Sequence, residues 1–65
     1  MRDFDGAIED YSKVLKINSK DSDAFFNRAN VKKEIGDMKD ACEDWSKAAD
    51  LGDDDAKKFL REHYE

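Results

Sequence analysis

The sequence predicts an all-α fold of four antiparallel helices joined by tight turns, and three observations carry that expectation. Apolar residues recur at steps of three and four in four separate stretches, the spacing that gathers them on one face of a helix. The chain has no proline and few β-branched residues, with 45% charged and 38% hydrophobic positions, closer to helical than to sheet usage. Residues 3–21 laid on 37–55 at an offset of 34 agree at seven positions, so one helical unit is used twice.

The first helix is expected from Phe4 to Ile17, with Phe4, Ala7, Ile8, Tyr11, Val14 and Leu15 on its apolar stripe. Asp3 is placed to cap it by accepting a backbone N–H bond, and Asn18-Ser19-Lys20-Asp21 supplies the polar break that follows. The second begins near Ser22 or Asp23 and carries Phe25, Phe26, Ala29, Val31 and Ile35 before Gly36, whose missing Cβ suits a left-handed helix end. Asp37 caps the third, which presents Met38, Ala41, Cys42, Trp45, Ala48, Ala49 and Leu51 on one face and stops at Gly52. The fourth is short, with Ala56, Phe59, Leu60 and Tyr64, and is entered through Asp53-Asp54-Asp55.

Length and charge limit the functions open to such a chain. A 65-residue domain buries only about 60% of the surface its unfolded chain exposes, so its core is thin and leans on well-packed helices or a neighbour. A net charge of −5 with lysines interleaved among acids lacks the basic stripe that phosphate binding needs, which argues against a nucleic-acid partner. No apolar run approaches the ~20 residues that span a bilayer, so no membrane partner is expected. The one cysteine, Cys42, excludes an internal disulfide framework and fits a reducing compartment such as the cytoplasm. No secretory leader is visible in the sequence as it stands.

The agreeing pairs at the offset of 34 are Asp3/Asp37, Ala7/Ala41, Glu9/Glu43, Asp10/Asp44, Ser12/Ser46, Lys13/Lys47 and Asp21/Asp55. Conservative pairs fill the apolar slots: Phe4/Met38, Ile8/Cys42, Tyr11/Trp45 and Ile17/Leu51. A 34-residue period of paired helices resembles the tetratricopeptide repeat (TPR), whose pattern W-x2-L-G-x2-Y, A-x3-F, P is matched in spacing by residues 22–55. Here the slots hold Phe25, Arg28-Ala29, Lys32, Ala41, Trp45, Ala48 and Asp53. Arg28 and Lys32 stand at apolar slots, which predicts looser packing of the second helix, with their aliphatic stems still covering apolar surface. Residues 3–21 resemble only the second helix of a preceding repeat. Residues 56–65 resemble the extra helix that closes many such arrays, with Lys57, Lys58, Arg61, Glu62, His63 and Glu65 as its polar outer face. The resemblance therefore implies a solenoid fragment of half a repeat, one full repeat and a cap, taken from a longer array.

In this family the first helix of each repeat lines a concave groove that holds peptides. The resemblance thus puts Phe26, Asn27, Asn30, Lys33 and Glu34 forward as peptide-binding residues, offering stacking, amide bonds and charge. Asn27 followed by Arg28 resembles the asparagine of the carboxylate-clamp members, which hold a C-terminal carboxylate. Asparagine is also common at this slot in members that bind no carboxylate. The expected function is a protein-interaction module with a protein or peptide partner. The alternative is a structural, self-associating end of an array, in which an uncovered stripe of Phe4, Ile8, Tyr11 and Leu15 recruits a second copy as a homodimer.

Catalytic and metal chemistry find no foothold in these residues. Cys42 shares a face with Met38, Ala41 and Trp45, where a small buried hydrophobe is expected. His63 has no second histidine or cysteine at ligand spacing. Asp53-Asp54-Asp55 lacks the alternating oxygen donors of a calcium loop and is better explained as helix capping. Glu9, Asp10, Glu43 and Asp44 are expected to be solvated acids on the convex surface. No nucleophile, base and orienting group can be assembled from Ser, His and Cys at these spacings, so neither an enzyme nor a cofactor is expected.

Overall fold

The computed structural model describes residues 3–63, together with the side chains up to Glu62. Tyr64, expected on the fourth apolar stripe, Glu65, and the side chain of His63 lie outside the described residues. The chain forms α1 (Phe4–Ile17), α2 (Ser22–Glu34), α3 (Met38–Asp50) and α4 (Asp54–His63), packed in chain order.

All four helices start at an aspartate. Asp3 accepts from the Gly6 N–H at 2.8 Å, Asp21 from Ala24 at 3.2 Å and Asp37 from Asp40 at 3.4 Å. Asp53 accepts from both Asp55 at 3.0 Å and Ala56 at 3.3 Å. Each carboxylate satisfies donors that the first helical turn leaves without an internal partner. Asp53 takes the cap, so α4 begins at Asp54, two residues ahead of its first apolar position.

Helix ends come in two kinds. After α2 and α3, Gly36 (φ 88°) and Gly52 (φ 102°) adopt the left-handed conformation. The Asp37 N–H then reaches back to the Lys32 carbonyl at 2.8 Å, and the Asp53 N–H to the Ala48 carbonyl at 3.0 Å, which is the Schellman arrangement. After α1 the chain instead turns extended at Asn18, whose side chain accepts from the Lys20 N–H at 3.1 Å.

The core consists of Leu15, Ala24, Phe25, Ala29, Ala41, Cys42, Trp45, Ala48 and Ala56, with Tyr11, Phe26, Met38, Ala49, Phe59 and Leu60 packed against it. Trp45, with none of its surface exposed, is its largest fully buried side chain. Ala29, Ala41 and Ala48 are also fully buried and permit the close approach of α2 and α3, the most extensive helix pairing in the chain. Leu15 belongs to this core and Tyr11 packs on it, so the stripe expected to lie uncovered on α1 is partly closed by α2. Among the described residues, the large hydrophobic side chains left exposed on α1 are Val14 and Ile17.

Candidate functional site

Two surfaces of α2 point in opposite directions, and each holds residues singled out by the sequence. Toward the core stand Phe25, Arg28, Ala29 and Lys32. Arg28 grips Asp44 of α3 with a two-point fork, Nε to Oδ2 and Nη2 to Oδ1, both at 2.8 Å. Lys32 Nζ adds a third contact to Oδ2 at 3.0 Å. The remaining arm of Arg28, Nη1, donates to Ser12 Oγ of α1 at 3.0 Å.

This corrects two expectations. Asp44 is not a solvated convex acid: only 2% of its surface is exposed. Arg28 and Lys32 do not loosen α2 either, because each carries its charge inward to that carboxylate, in the bidentate geometry for which guanidinium is suited. Burial pushes the Asp44 carboxyl up, but the hydrogen bonds from Arg28 and Lys32 and their positive charges prevail and leave it below its ordinary value. The same hydrogen bond raises Arg28. Two cations lie over the Phe25 ring, with Arg28 Cζ 5.6 Å and Lys47 Nζ 5.7 Å from its centroid, so the guanidinium also gains from the ring face. The other three acids behave as expected: Glu9, Asp10 and Glu43 are exposed.

The opposite surface of α2 carries the candidate peptide-binding residues. Asn27, Lys33 and Glu34 are exposed, while Phe26 and Asn30 are half-buried. Spacings of three and four place Asn27, Asn30, Lys33 and Glu34 along one side of the helix. Phe26 stacks on Phe59 of α4 with ring centroids 5.2 Å apart and planes tilted by 32°. Lys33 Nζ lies 6.0 Å from that same Phe59 ring. Phe59 also meets Trp45 edge-on at 5.4 Å, so Phe26 joins an aromatic run leading into the core. The surface therefore reads as two amides and a lysine bordering a half-covered aromatic pair.

Two grooves lie away from these residues. One groove of about 290 Å³ is lined by Lys39, Cys42, Glu43, Ser46 and Leu60, and another of about 330 Å³ by Ser19, Phe25, Lys47, Asp50 and Leu51. Neither includes Asn27, Asn30 or Lys33. Cys42 is buried among core residues, as expected for a small hydrophobe. No group of three metal-ligating side chains comes together among the described residues. No helix among them is long and apolar enough to cross a membrane.

A family model described as TPR repeat matches residues 3–36, just over half of the chain and the whole of α1 and α2. The chain belongs to the tetratricopeptide-repeat family. It is also 38% identical over 63 residues to Hsp70-Hsp90 organizing protein 1 of Glycine max, a match covering 97% of this chain. The chain spans about 10% of the length of that relative. No solved structure matches it. TPR membership, with an organizing protein as a relative, identifies the chain in general terms as a protein-interaction module, and points away from catalysis.

The inward network was the functional feature least visible beforehand. Two bases one turn apart at apolar slots of α2, facing a repeat-conserved acid beside the aromatic slot of α3, are its sequence signal. The solvated reading of Asp44 passed over it, because an acid repeated on a charged helix looks like surface.

Proposed function

We propose that this TPR segment holds an extended stretch of a partner protein in a concave groove lined by α2, through Phe26, Asn27, Asn30, Lys33 and Glu34. The observation that supports the reading is the division of labour on α2. Arg28 and Lys32 are consumed by Asp44, whereas Asn27, Asn30 and Lys33 face the other way beside the Phe26–Phe59 pair. Side-chain amides bind a peptide backbone as both donor and acceptor, and the lysine supplies a cation for a carboxylate. Phe26 contributes packing to α4 first and, half-buried, offers the partner only part of its surface.

We take residues 22–55, α2 with α3, as one repeat, α1 as the second helix of another, and residues 56–65 as a closing helix. The extensive α2–α3 pairing supports that phase. The Glycine max relative is named as an organizing protein of Hsp70 and Hsp90, which makes a chaperone segment the first partner to try. With Arg28 tied to Asp44, Asn27 and Lys33 are left to recognise a carboxylate.

The test is a titration of the chain with acidic C-terminal peptides of chaperones, followed by calorimetry, for the unaltered chain and for Asn27→Ala, Asn30→Ala and Lys33→Glu. Loss of about 1.5–3 kcal/mol of binding in each variant is the expected outcome, as for hydrogen bonds to a charged group. Equal affinities across all four proteins would overturn the groove assignment. An unchanged Asn27→Ala with weakened Lys33→Glu would leave a groove and remove the clamp.

A further inference from the structure

The chain has four serines and no threonine, and the surroundings of the four hydroxyls differ. Ser12 and Ser46 lie inside α1 and α3, behind Glu9-Asp10 and Glu43-Asp44, and Ser12 Oγ already accepts from Arg28 Nη1. Ser22 opens α2 between Asp21 and Asp23 and is half-buried. Ser19 alone is exposed and belongs to no helix. Residues 12–20 around it carry three lysines and no acid, in a chain whose net charge is −5. Ahead of it α1 ends and Asn18 turns extended. Two bonds hold the turn, from the Lys20 N–H to Asn18 Oδ1 at 3.1 Å and from the Asp21 N–H to the Asn18 carbonyl at 3.2 Å. Residues 18–20 can therefore be drawn into another protein's cleft without unwinding a helix.

Ser19 also shares a groove of about 330 Å³ with Phe25, Lys47, Asp50 and Leu51 at the end of α3. Lys47 Nζ stands there over the Phe25 ring. Among the described residues, no carboxylate pairs with Lys16, Lys20 or Lys47. Two such lysines flank the hydroxyl in the chain, and the third lines its groove.

We propose that Ser19 is a phosphorylation site for a protein kinase that reads basic residues, and that Lys47 receives the phosphate, tying the α1–α2 turn to the end of α3. Lys16, three residues before Ser19, and Lys20, one after it, supply the charge pattern by which such a kinase selects its substrate. The γ-phosphoryl group of a nucleoside triphosphate passes to Ser19 Oγ. The new O–P bond forms as the bond to the bridging oxygen breaks, the hydroxyl proton goes to the kinase's catalytic carboxylate, and the nucleoside diphosphate leaves. The product carries about two negative charges and three acceptor oxygens into a groove whose ammonium group is free to meet them. Asp50, on the same lining, opposes the phosphate and limits the gain.

The test has two arms. In the first, the 65-residue chain is incubated with ATP and the catalytic domain of protein kinase C, and phosphate is located by peptide mass mapping. Incorporation at Ser19 is expected, abolished in Ser19→Ala and slowed at least several-fold in Lys16→Glu. No incorporation, or incorporation at Ser12, Ser22 or Ser46 instead, would overturn the assignment. In the second, the chain carrying phosphate at Ser19, prepared by chemical ligation, is titrated by phosphorus NMR beside a phosphopeptide of residues 16–22. The second ionisation of the phosphate, ordinarily near pH ~6, should lie several tenths of a unit lower in the chain than in the peptide. It should return toward the peptide value in Lys47→Gln and fall further in Asp50→Asn. Equal ionisation in the chain, in Lys47→Gln and in the peptide would overturn the role of Lys47. An unchanged Trp45 emission shows that the variants are folded. Ser19 and Lys47 lie outside the candidate peptide-binding residues of α2, so the outcome is independent of binding there.

Discussion

A carboxylate with 2% of its surface exposed survives as an anion only when donors replace the water it lost. Asp44 has three, from Arg28 and Lys32. In Asp44→Asn those two cations keep their burial but lose the charge that offsets it, so the variant should be destabilised by roughly 3 kcal/mol, the low end for breaking a buried pair. Urea unfolding monitored at Trp45 measures it. The pH dependence follows from the sign of the shift. The folded-state value of Asp44 lies below its ordinary one, so its contribution is complete above an unfolded value near pH ~3.9 and disappears as pH falls through the folded value. Asp40 runs the other way, raised by its hydrogen bond with Asp37 and by that residue's charge. The informative quantity is therefore the difference between the unaltered chain and Asp44→Asn, which should shrink as the solution is acidified below pH ~4.

Individual helices were legible to a degree that has a physical cause. An aspartate before each apolar stripe and a glycine after two of them are local signals, decided by hydrogen bonds and φ within a few residues. Gly36 and Gly52 have open space where a Cβ would stand, so Gly36→Ala and Gly52→Ala should each cost about 1 kcal/mol from left-handed backbone alone. Thermal unfolding is the check, and a cost near zero would show that the turn relaxes to another conformation. What local signals do not carry is which side chains meet across helices. Ser12, Arg28 and Asp44 are 16 residues apart at each step, and periodicity placed Arg28 at a helix slot without indicating what faced it. The candidate groove residues rest on the family resemblance; that Asn27, Asn30, Lys33 and Glu34 share one polar side of α2 was legible, because spacing within one helix fixes direction. The stacking of Phe26 on Phe59 was not, since it depends on where α4 settles.

At the scale of the molecule, the core among the described residues is eight small-to-large residues around one indole. Removing that indole in Trp45→Ala should cost about 3–5 kcal/mol, a large share of the roughly 3–10 kcal/mol a chain of this length can hold. Loss of cooperative unfolding by far-UV circular dichroism at 25 °C is the expected outcome, and a retained sharp transition would place the stabilising core elsewhere. Helical arrays ordinarily couple each unit only to its neighbours, so their ends can open while the middle stays shut. Here one guanidinium touches α3 and α1 at once, skipping over the helix that carries it. Opening of α1 in hydrogen exchange thus becomes sensitive to a charge two helices away, and three of the four helices share a single latch.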